Sequence, residues 1–230
     1  MPEIIDLSQE IYAGMPVYKG LPRVEMEVFK SHEEWEGNHN ATEVTPGVHR
    51  LSMGEHTGSH VDAINHMAKK FKGRSIDTMP LSMFYTEGIC LDLSHKELKE
   101  LIEVSDLQEA LHRDQLKIKQ NDTVLIYTDH FRRYYNTNDW GNGPGLTVEA
   151  TQWLGRHKIA AFGVETMSPG IPGKTNKEVH LICGEMNFTH YENLINLYKL
   201  VHRGRFRFIG LPLKIRGGTG SPVRAVAIFE

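Results

Sequence analysis

Short strand-like runs recur along the chain, and they limit its possible folds more than any other feature. Runs rich in β-branched and aromatic residues outnumber the helical segments. They lie at residues 24–29, 88–93, 123–127, 160–164, 206–211 and 223–229. From about residue 105 onward, strands and helices are predicted to alternate. The pattern predicts an α/β fold with a mixed sheet flanked by helices.

Helical periodicity predicts three helices, at residues 105–112, 147–158 and 191–204. Ser105 and Thr147 are placed to cap the first two, and Gly204 is placed to end the third. The chain has no internal repeat, no low-complexity tract and no long linker. We therefore predict a single domain over residues 1–230.

Composition excludes several classes of protein. The hydrophobic fraction is 40%, the charged fraction is 24% and the net charge is -3, so the chain lacks the basic surface that nucleic acid requires. No apolar run approaches the ~20 residues that span a bilayer, and the start "MPEIIDLSQEIY" lacks the pattern of a secretion signal. We expect a cytoplasmic protein with no membrane or nucleic-acid partner.

The two cysteines give little indication of a metal or redox site. Cys90 and Cys183 lie in apolar stretches without a C-x-x-C pattern, which is typical of buried reduced thiols. Any metal ion is therefore expected to be bound through nitrogen and oxygen.

The stretch "GEHTGSHVDAINHM", residues 54–67, holds His56, His60, Asp62 and His66 within eleven positions. In a helix, Asp62 would lie about 200° around the axis from His60. In a straight strand, His56 and His60 would stand about 13 Å apart, too far for one ion. A bend at Gly58 followed by an extended segment from His60 to Asp62 removes both problems, because glycine accepts left-handed conformations. The stretch predicts a metal or catalytic site, against the alternative of histidines with ordinary local hydrogen bonds.

A second polar cluster lies downstream, at His180, Glu185, His190 and Glu192. We predict Glu192 in the first turn of the third helix, where a carboxylate also complements the helix dipole. Taken alone, this cluster fits a ligand set and a solvated loop equally well.

The first cluster resembles the motif H-x-G-T-H-x-D-x-P-x-H of the cyclase-like metal-dependent hydrolases, the family of bacterial kynurenine formamidase (arylformamidase) and isatin hydrolase. Here the motif reads from His56 to His66, with Ser59 in place of Thr and Ile64 in place of Pro. Ile64 removes a fixed φ angle just before His66. Similarity extends to "DLSQEIYAGMPVYKGLP", "VLIYTDH", "AAFGVETMSPG" and "GSPVRAVAIF".

The resemblance implies a swivelling β/α/β fold, a metal centre and a role for each matching residue. His56, His60 and Asp62 are implied as ligands of one ion, and Asp62 as a bridge to a second ion held by His180 and Glu192. One or two divalent ions per chain, zinc or manganese, are expected. His66 corresponds to the catalytic base, whereas Glu185 and His190 do not fall on the family pattern.

The function that the resemblance implies is hydrolysis of a small-molecule amide by metal-activated water. The leading expectation is an arylformamidase acting on N-formylkynurenine in tryptophan catabolism by the kynurenine pathway. The alternatives are an isatin-type cyclic amide hydrolase and, in another class, a non-catalytic metal-stabilised binding protein. A homodimer or homotetramer is expected, as in other members of the family.

Three segments are candidates for contact with the substrate. Residues 128–130 and 163–165 depart from the sequence of a typical formamidase, and we expect these loops to face the substrate. The segment "HFRRYYNTNDWGNGPG", residues 130–145, is rich in aromatic residues. It fits either an aromatic pocket wall or a surface loop or dimer contact.

Overall fold

The computed structural model describes residues 1–36 and 45–230. Its strands are β1 (Glu3–Asp6), β2 (Glu25–Lys30), β3 (Val48–Ser52), β4 (His60–Asp62), β5 (Tyr85–Asp92), β6 (Leu101–Ile102), β7 (Thr123–Tyr127), β8 (Gly145–Leu146), β9 (Ala161–Val164), β10 (Thr189–Glu192), β11 (Phe206–Ile209), β12 (Gly220–Pro222) and β13 (Val226–Phe229). Its α-helices are α1 (Glu33–Glu36), α2 (Ile64–Met67), α3 (Val104–Arg113), α4 (His130–Tyr134), α5 (Val148–Arg156) and α6 (Asn176–Met186).

Within the described part of the chain, nine strands form one sheet in the order β1-β13-β11-β5-β7-β9-β10-β4-β12. The four central strands, β5, β7, β9 and β10, are parallel. The strands on both flanks are antiparallel, so the sheet is mixed, as predicted. Helices α3, α5 and α6 lie in the connections between the parallel strands, which is the expected connection in an α/β fold.

The two faces of the sheet pack into different cores, as strand β7 illustrates. Val124 and Ile126 pack with the buried residues of α3, α5 and α6. Leu125 and Tyr127 face the opposite core, because side chains alternate along a strand. That second core also receives Val61 from β4, near one end of the sheet, and residues of β1 and β13 from the other end. The sheet therefore curls around this core.

All six predicted strand runs correspond to strands. The run at 123–127 coincides with β7, and those at 88–93, 160–164, 206–211 and 223–229 overlap β5, β9, β11 and β13. The run at 24–29 overlaps β2, which pairs with β3 in a separate two-stranded sheet. The predicted helices at 105–112 and 147–158 overlap α3 and α5. In α5 the Thr147 hydroxyl accepts a hydrogen bond from the Ala150 N–H, as its capping role requires.

The third predicted helix, at residues 191–204, is wrong. The segment contains the end of β10 and a single 3₁₀ turn at Leu197–Lys199. Asn193, Asn196 and His202 all have positive φ angles near 60°, which a continuous α-helix does not allow. Leu194 and Leu197 are fully buried in the core, so their spacing reflects packing rather than a helical face.

Helix α6 was not predicted from the sequence. It lies before the segment of the third predicted helix, and it buries Val179 and Cys183 on one face. No α-helix in the described ranges is long and apolar enough to cross a membrane.

Candidate metal centre

The chain bends sharply between His56 and His60, as predicted. Gly58 adopts φ +58°, the left-handed conformation that glycine accepts without a steric penalty. The chain then runs extended through β4, and α2 follows directly. The Ser59 hydroxyl donates a hydrogen bond to the Asn193 carbonyl oxygen over 2.6 Å, which attaches the bend to the end of β10.

The pairing of β4 with β10 brings the two polar clusters together. Glu192 is the Cα partner of His60 across this antiparallel pair. His60 and Asp62 point to one face of β4 because side chains two residues apart share a face. Glu192 is the last residue of β10, not a residue in the first turn of a helix as predicted. The strand register therefore positions this carboxylate beside the histidines.

Asp62 is the centre of the cluster. Its Oδ1 lies 2.7 Å from His56 Nδ1 and 3.5 Å from His60 Nε2. Its Oδ2 lies 3.6 Å from His66 Nε2 and 3.5 Å from His180 Nε2, which α6 supplies. Glu192 joins the same cluster, since its Oε2 lies 3.4 Å from His60 Nε2. The structure therefore brings together all six site residues proposed from the sequence.

The described residues contain two groups of donor atoms that could each hold a metal ion. Within each group, all donor atoms lie within 4.8 Å of one another. One group consists of Asp62, His180, His190 and Glu192, and the other of His56, Asp62 and His66. His60 is in neither group; its Nε2 lies between Asp62 Oδ1 and Glu192 Oε2. His66, the predicted base, lies among potential ligands.

The donors fit a divalent cation. His60 Nε2 and Asp62 Oδ2 are buried and have no hydrogen-bond partner, a costly state that bound cations would relieve. His60 Nδ1 lies 2.8 Å from the Gly58 carbonyl oxygen, and His180 Nδ1 lies 2.7 Å from that of Asn176. These contacts favour the tautomer with the proton on Nδ1, which leaves Nε2 free for a metal. A set of imidazoles and carboxylates suits zinc or manganese.

The electrostatics of the site keep both carboxylates ionised. Burial raises the pKa of Asp62, but the charges and contacts of His66, His190 and His180 hold it well below its ordinary value. Burial also raises the pKa of Glu192, yet contacts with His190 and His60 bring it to about 2. For His66, burial is the main cause of a lowered pKa. The centre therefore holds two buried negative charges, which attract a cation.

A cavity of about 180 Å³ opens onto these residues. Tyr18, Leu21 and Met167 provide apolar surface, whereas Ser168 and Asn176 provide polar groups. His66 is the most exposed residue of the cluster, with 36% of its side chain accessible, and it lies at the cavity wall. A larger cavity of about 670 Å³, near the amino ends of β7 and β9, contains none of the metal donors.

The loops that we expected to face the substrate do not line the 180 Å³ cavity. The Glu165 carboxylate is buried and accepts hydrogen bonds from the Thr128 and His130 N–H groups instead. Met167 and Ser168, which follow in the chain, line the cavity in their place. The aromatic residues of segment 130–145 pack on one another, with His130 stacked on Trp140. They form no wall of this cavity.

Sequence reasoning missed two parts of the site. The predicted ligand set does not include His190, although its Nε2 lies 3.3 Å from Asp62 Oδ2. Its position two residues before Glu192 was the available signal, because residues i and i+2 of a strand share a face. The cavity residues Tyr18, Leu21 and Met167 lie in segments that resemble the family, but nothing in the sequence singled them out as cavity residues.

The fold and the donor cluster define an α/β protein with a candidate metal centre at the edge of its parallel strands. The family model described as "Putative cyclase" matches residues 5–170, which is more than half of the chain. The chain belongs to this cyclase family, and the family expected from the His56–His66 motif is confirmed.

Named relatives and solved structures agree with this assignment. Isatin hydrolase of Roseibium aggregatum is 28% identical over 193 residues, covering 77% of this chain and 73% of its own length. Kynurenine formamidase of Salinibacter ruber is 26% identical and covers 97% of this chain and 96% of its own length. The structure of isatin hydrolase A from Ralstonia solanacearum superposes with a TM-score of 0.86 at 28% identity, covering 100% of this chain and 92% of the other. By name, these relatives are a formamidase and two isatin hydrolases.

Proposed function

We propose that this chain is a metal-dependent amide hydrolase, with His56, His60, Asp62, His180 and Glu192 as metal ligands. The observation that carries the proposal is the convergence of imidazoles and two buried carboxylates at one cavity, with Asp62 Oδ2 and His60 Nε2 left unpartnered. The hydrolase names of the relatives support the same class of reaction.

When bound, a divalent ion lowers the pKa of its water far below that of bulk water, to about 7, and polarises a carbonyl oxygen. The protein supplies the remaining functions. Asp62 and Glu192 hold negative charge in the buried part of the site, and the hydrogen bonds of His60 and His180 to backbone carbonyls orient their rings. His66 is accessible from the cavity, and its Nε2 is the atom proposed to take a proton from water and return it to the leaving nitrogen.

We propose an aryl formamide, with N-formylkynurenine as the leading candidate, as the substrate. Tyr18, Leu21 and Met167 present apolar surface suited to an aromatic ring, and Ser168 and Asn176 present hydrogen-bonding groups for its polar substituents. The likeness to isatin hydrolases at 28% identity favours a second candidate, a cyclic amide such as isatin. Both reactions break a C–N bond next to a carbonyl group, so the same side chains serve either substrate.

The test is a parallel assay of both amides with zinc-loaded and with manganese-loaded protein. We expect hydrolysis of the aryl formamide at a higher kcat/KM than that of isatin, with metal required in each case. A higher kcat/KM for isatin than for the aryl formamide would identify the cyclic amide as the better substrate. Turnover of neither compound would reject both substrates, and metal-independent turnover would reject the metal-dependent mechanism.

The role of His66 predicts that His66→Ala keeps its metal but loses about 10²- to 10⁴-fold in kcat, the usual contribution of a general acid–base residue. His112→Ala, at an exposed position of α3, is the matched control and should keep full activity. Measuring metal content alongside activity distinguishes a catalytic base from a metal ligand at His66. Loss of an ion from His66→Ala would make it a ligand, and unchanged turnover would refute the assignment as base.

A further inference from the structure

His190 is a polar side chain in a position that parallel strands usually fill with apolar residues. It is completely buried in β10 and pairs in register with Phe162 of the neighbouring strand. The alternation of side chains puts His190 on the same face as Glu192. Continuing the β4–β10 register by one residue beyond Tyr191 and Val61 sets His190 opposite Asp62. The fold thus directs this imidazole at both carboxylates.

The Nε2 atom of His190 faces the two carboxylates, and the ring also interacts with the buried thiol of Cys183. His190 Nε2 lies 3.3 Å from Asp62 Oδ2 and 3.2 Å from Glu192 Oε1, whereas Nδ1 has no hydrogen-bond partner. The ring stacks on Phe162 at a centroid distance of 5.4 Å and an interplanar angle of 23°. Packing therefore fixes the plane of the ring with Nε2 towards the carboxylates.

His180 approaches the same two oxygens from α6. Its Nε2 lies 3.5 Å from Asp62 Oδ2 and 3.7 Å from Glu192 Oε1. Four ligands at ~2.1 Å from a tetrahedral ion are about 3.4 Å from one another. The four imidazole–carboxylate separations, from 3.2 to 3.7 Å, surround that value, and all four ligand atoms lie within 4.8 Å of one another. The remaining carboxylate oxygens, Asp62 Oδ1 and Glu192 Oε2, face His60.

We propose that His190 is a fourth protein ligand, so that Asp62, His180, His190 and Glu192 form an inner metal position at which the protein supplies all four ligands. Closed four-ligand positions are typical of structural ions, whereas catalytic ions keep one position open. The inner ion would therefore hold Asp62 and Glu192 in place. Substrate would meet the outer position, next to His56 and the exposed His66. The inference rests on the proposed metal-dependent function.

The test compares metal binding by the wild-type protein, His190→Gln and His130→Gln. Glutamine keeps much of the volume of the buried ring. His130 is the matched control because it is also completely buried, has an unpartnered Nδ1 and lies outside both donor groups. Each protein is stripped with a chelator and titrated with Zn²⁺ against a competing chelator, and bound metal is counted by mass spectrometry.

We expect two ions in the wild type and in His130→Gln, the tighter one being the inner ion. His190→Gln should bind this ion at least about tenfold more weakly, since even substitution of a residue that only hydrogen-bonds a metal ligand commonly costs that much. Unchanged stoichiometry and affinity in His190→Gln would overturn the inference. The amide assays are independent of this result, so inactivity towards both amides with two ions bound would count against the proposed function alone.

A measurement on the wild-type protein does not depend on how the variant folds. The first equivalent of Co²⁺ added to stripped protein should give the intense visible absorption of tetrahedral cobalt. Weak absorption typical of six-coordinate cobalt would overturn the closed inner position.

Discussion

Glu165 is a buried carboxylate that the proposed chemistry does not use. Only 1% of the residue is exposed, and it follows directly after β9. Its Oε2 accepts hydrogen bonds from the Thr128 N–H and hydroxyl and from the His130 N–H, but Oε1 has no partner. Burial raises the pKa of Glu165 to about 7, although these hydrogen bonds oppose the shift. The protonated form is therefore the one that the fold favours.

This raised pKa predicts a falling contribution of Glu165 to stability as pH rises. Between the ordinary value of 4.5 and about 7, the unfolded chain releases the proton while the folded chain keeps it. The free energy of unfolding should fall across this range, by at most roughly 3 kcal/mol at 1.36 kcal/mol per pKa unit. Glu165→Gln has no such titration, so wild-type stability should decline relative to the variant from pH 4.5 to 8.

Urea unfolding at four or five pH values, at constant metal concentration, measures this difference. Taking the difference between two proteins cancels the titration of the metal-site histidines, which both proteins share. Glu109→Gln, at an exposed position of α3, is the control and should follow the wild-type curve. Parallel curves for wild type and Glu165→Gln would show that the carboxyl group titrates normally in the folded state.

At the scale of elements, the strands were predictable because their composition and their burial agree. β7 is the clearest case: its β-branched and aromatic residues are buried on both faces, and its predicted bounds match the structure. The bend at Gly58 was predictable for a different reason. The geometry of His56, His60 and Asp62 excluded both regular structures, so local chain geometry alone required the turn.

The misplaced helix shows where local patterns fail. Leucines at positions 194 and 197 are spaced like a helical face, but asparagines at 193 and 196 adopt left-handed conformations and interrupt the segment. The leucines are buried by the curled sheet, which is a tertiary effect. Helix α6 carries Leu181 and Ile182 outside its buried face as well as Val179 and Cys183 on it, so its apolar periodicity is weak and the helix that carries His180 was not predicted.

The two halves of the candidate site also differ in how far local sequence could predict them. The His56–His66 half is local in sequence, and its residues could be selected from spacing alone. His180 and Glu192 were selected through family resemblance, because nothing local distinguishes them from a solvated loop. His190 was missed because its approach to Asp62 depends on the register between β10 and β4, two strands about 130 residues apart in the chain.

At the scale of the whole molecule, the metal centre lies where distant parts of the chain meet. Strand β4 inserts between β10 and β12, which joins an early segment to two late ones. Asp62 contacts His180 and His190, and the Thr189 hydroxyl donates a hydrogen bond to the Asp62 carbonyl oxygen over 2.5 Å. A bound ion would cross-link these segments. The expected dimer or tetramer remains a prediction at this scale.

Metal removal should therefore destabilise the entire fold and not only the active site. An ion that binds the folded state alone contributes about 2.7 kcal/mol when its concentration is 100 times Kd. For a chain of this size, each kcal/mol shifts the thermal midpoint by about 2–4 °C, so we expect the midpoint to fall by roughly 5–10 °C on treatment with a chelator. Scanning calorimetry of stripped and metal-restored protein measures the shift.

Asp62→Asn provides the control for this prediction, because it keeps the shape of the side chain but removes the charge that contacts donors of both groups. Its thermal midpoint should be lower than that of the wild type and should not change when metal is added. An effect of metal on the variant as large as on the wild type would place the stabilising ion elsewhere. A wild-type midpoint that is the same with and without metal would show that the strand pairing alone, not an ion, holds β4 between β10 and β12.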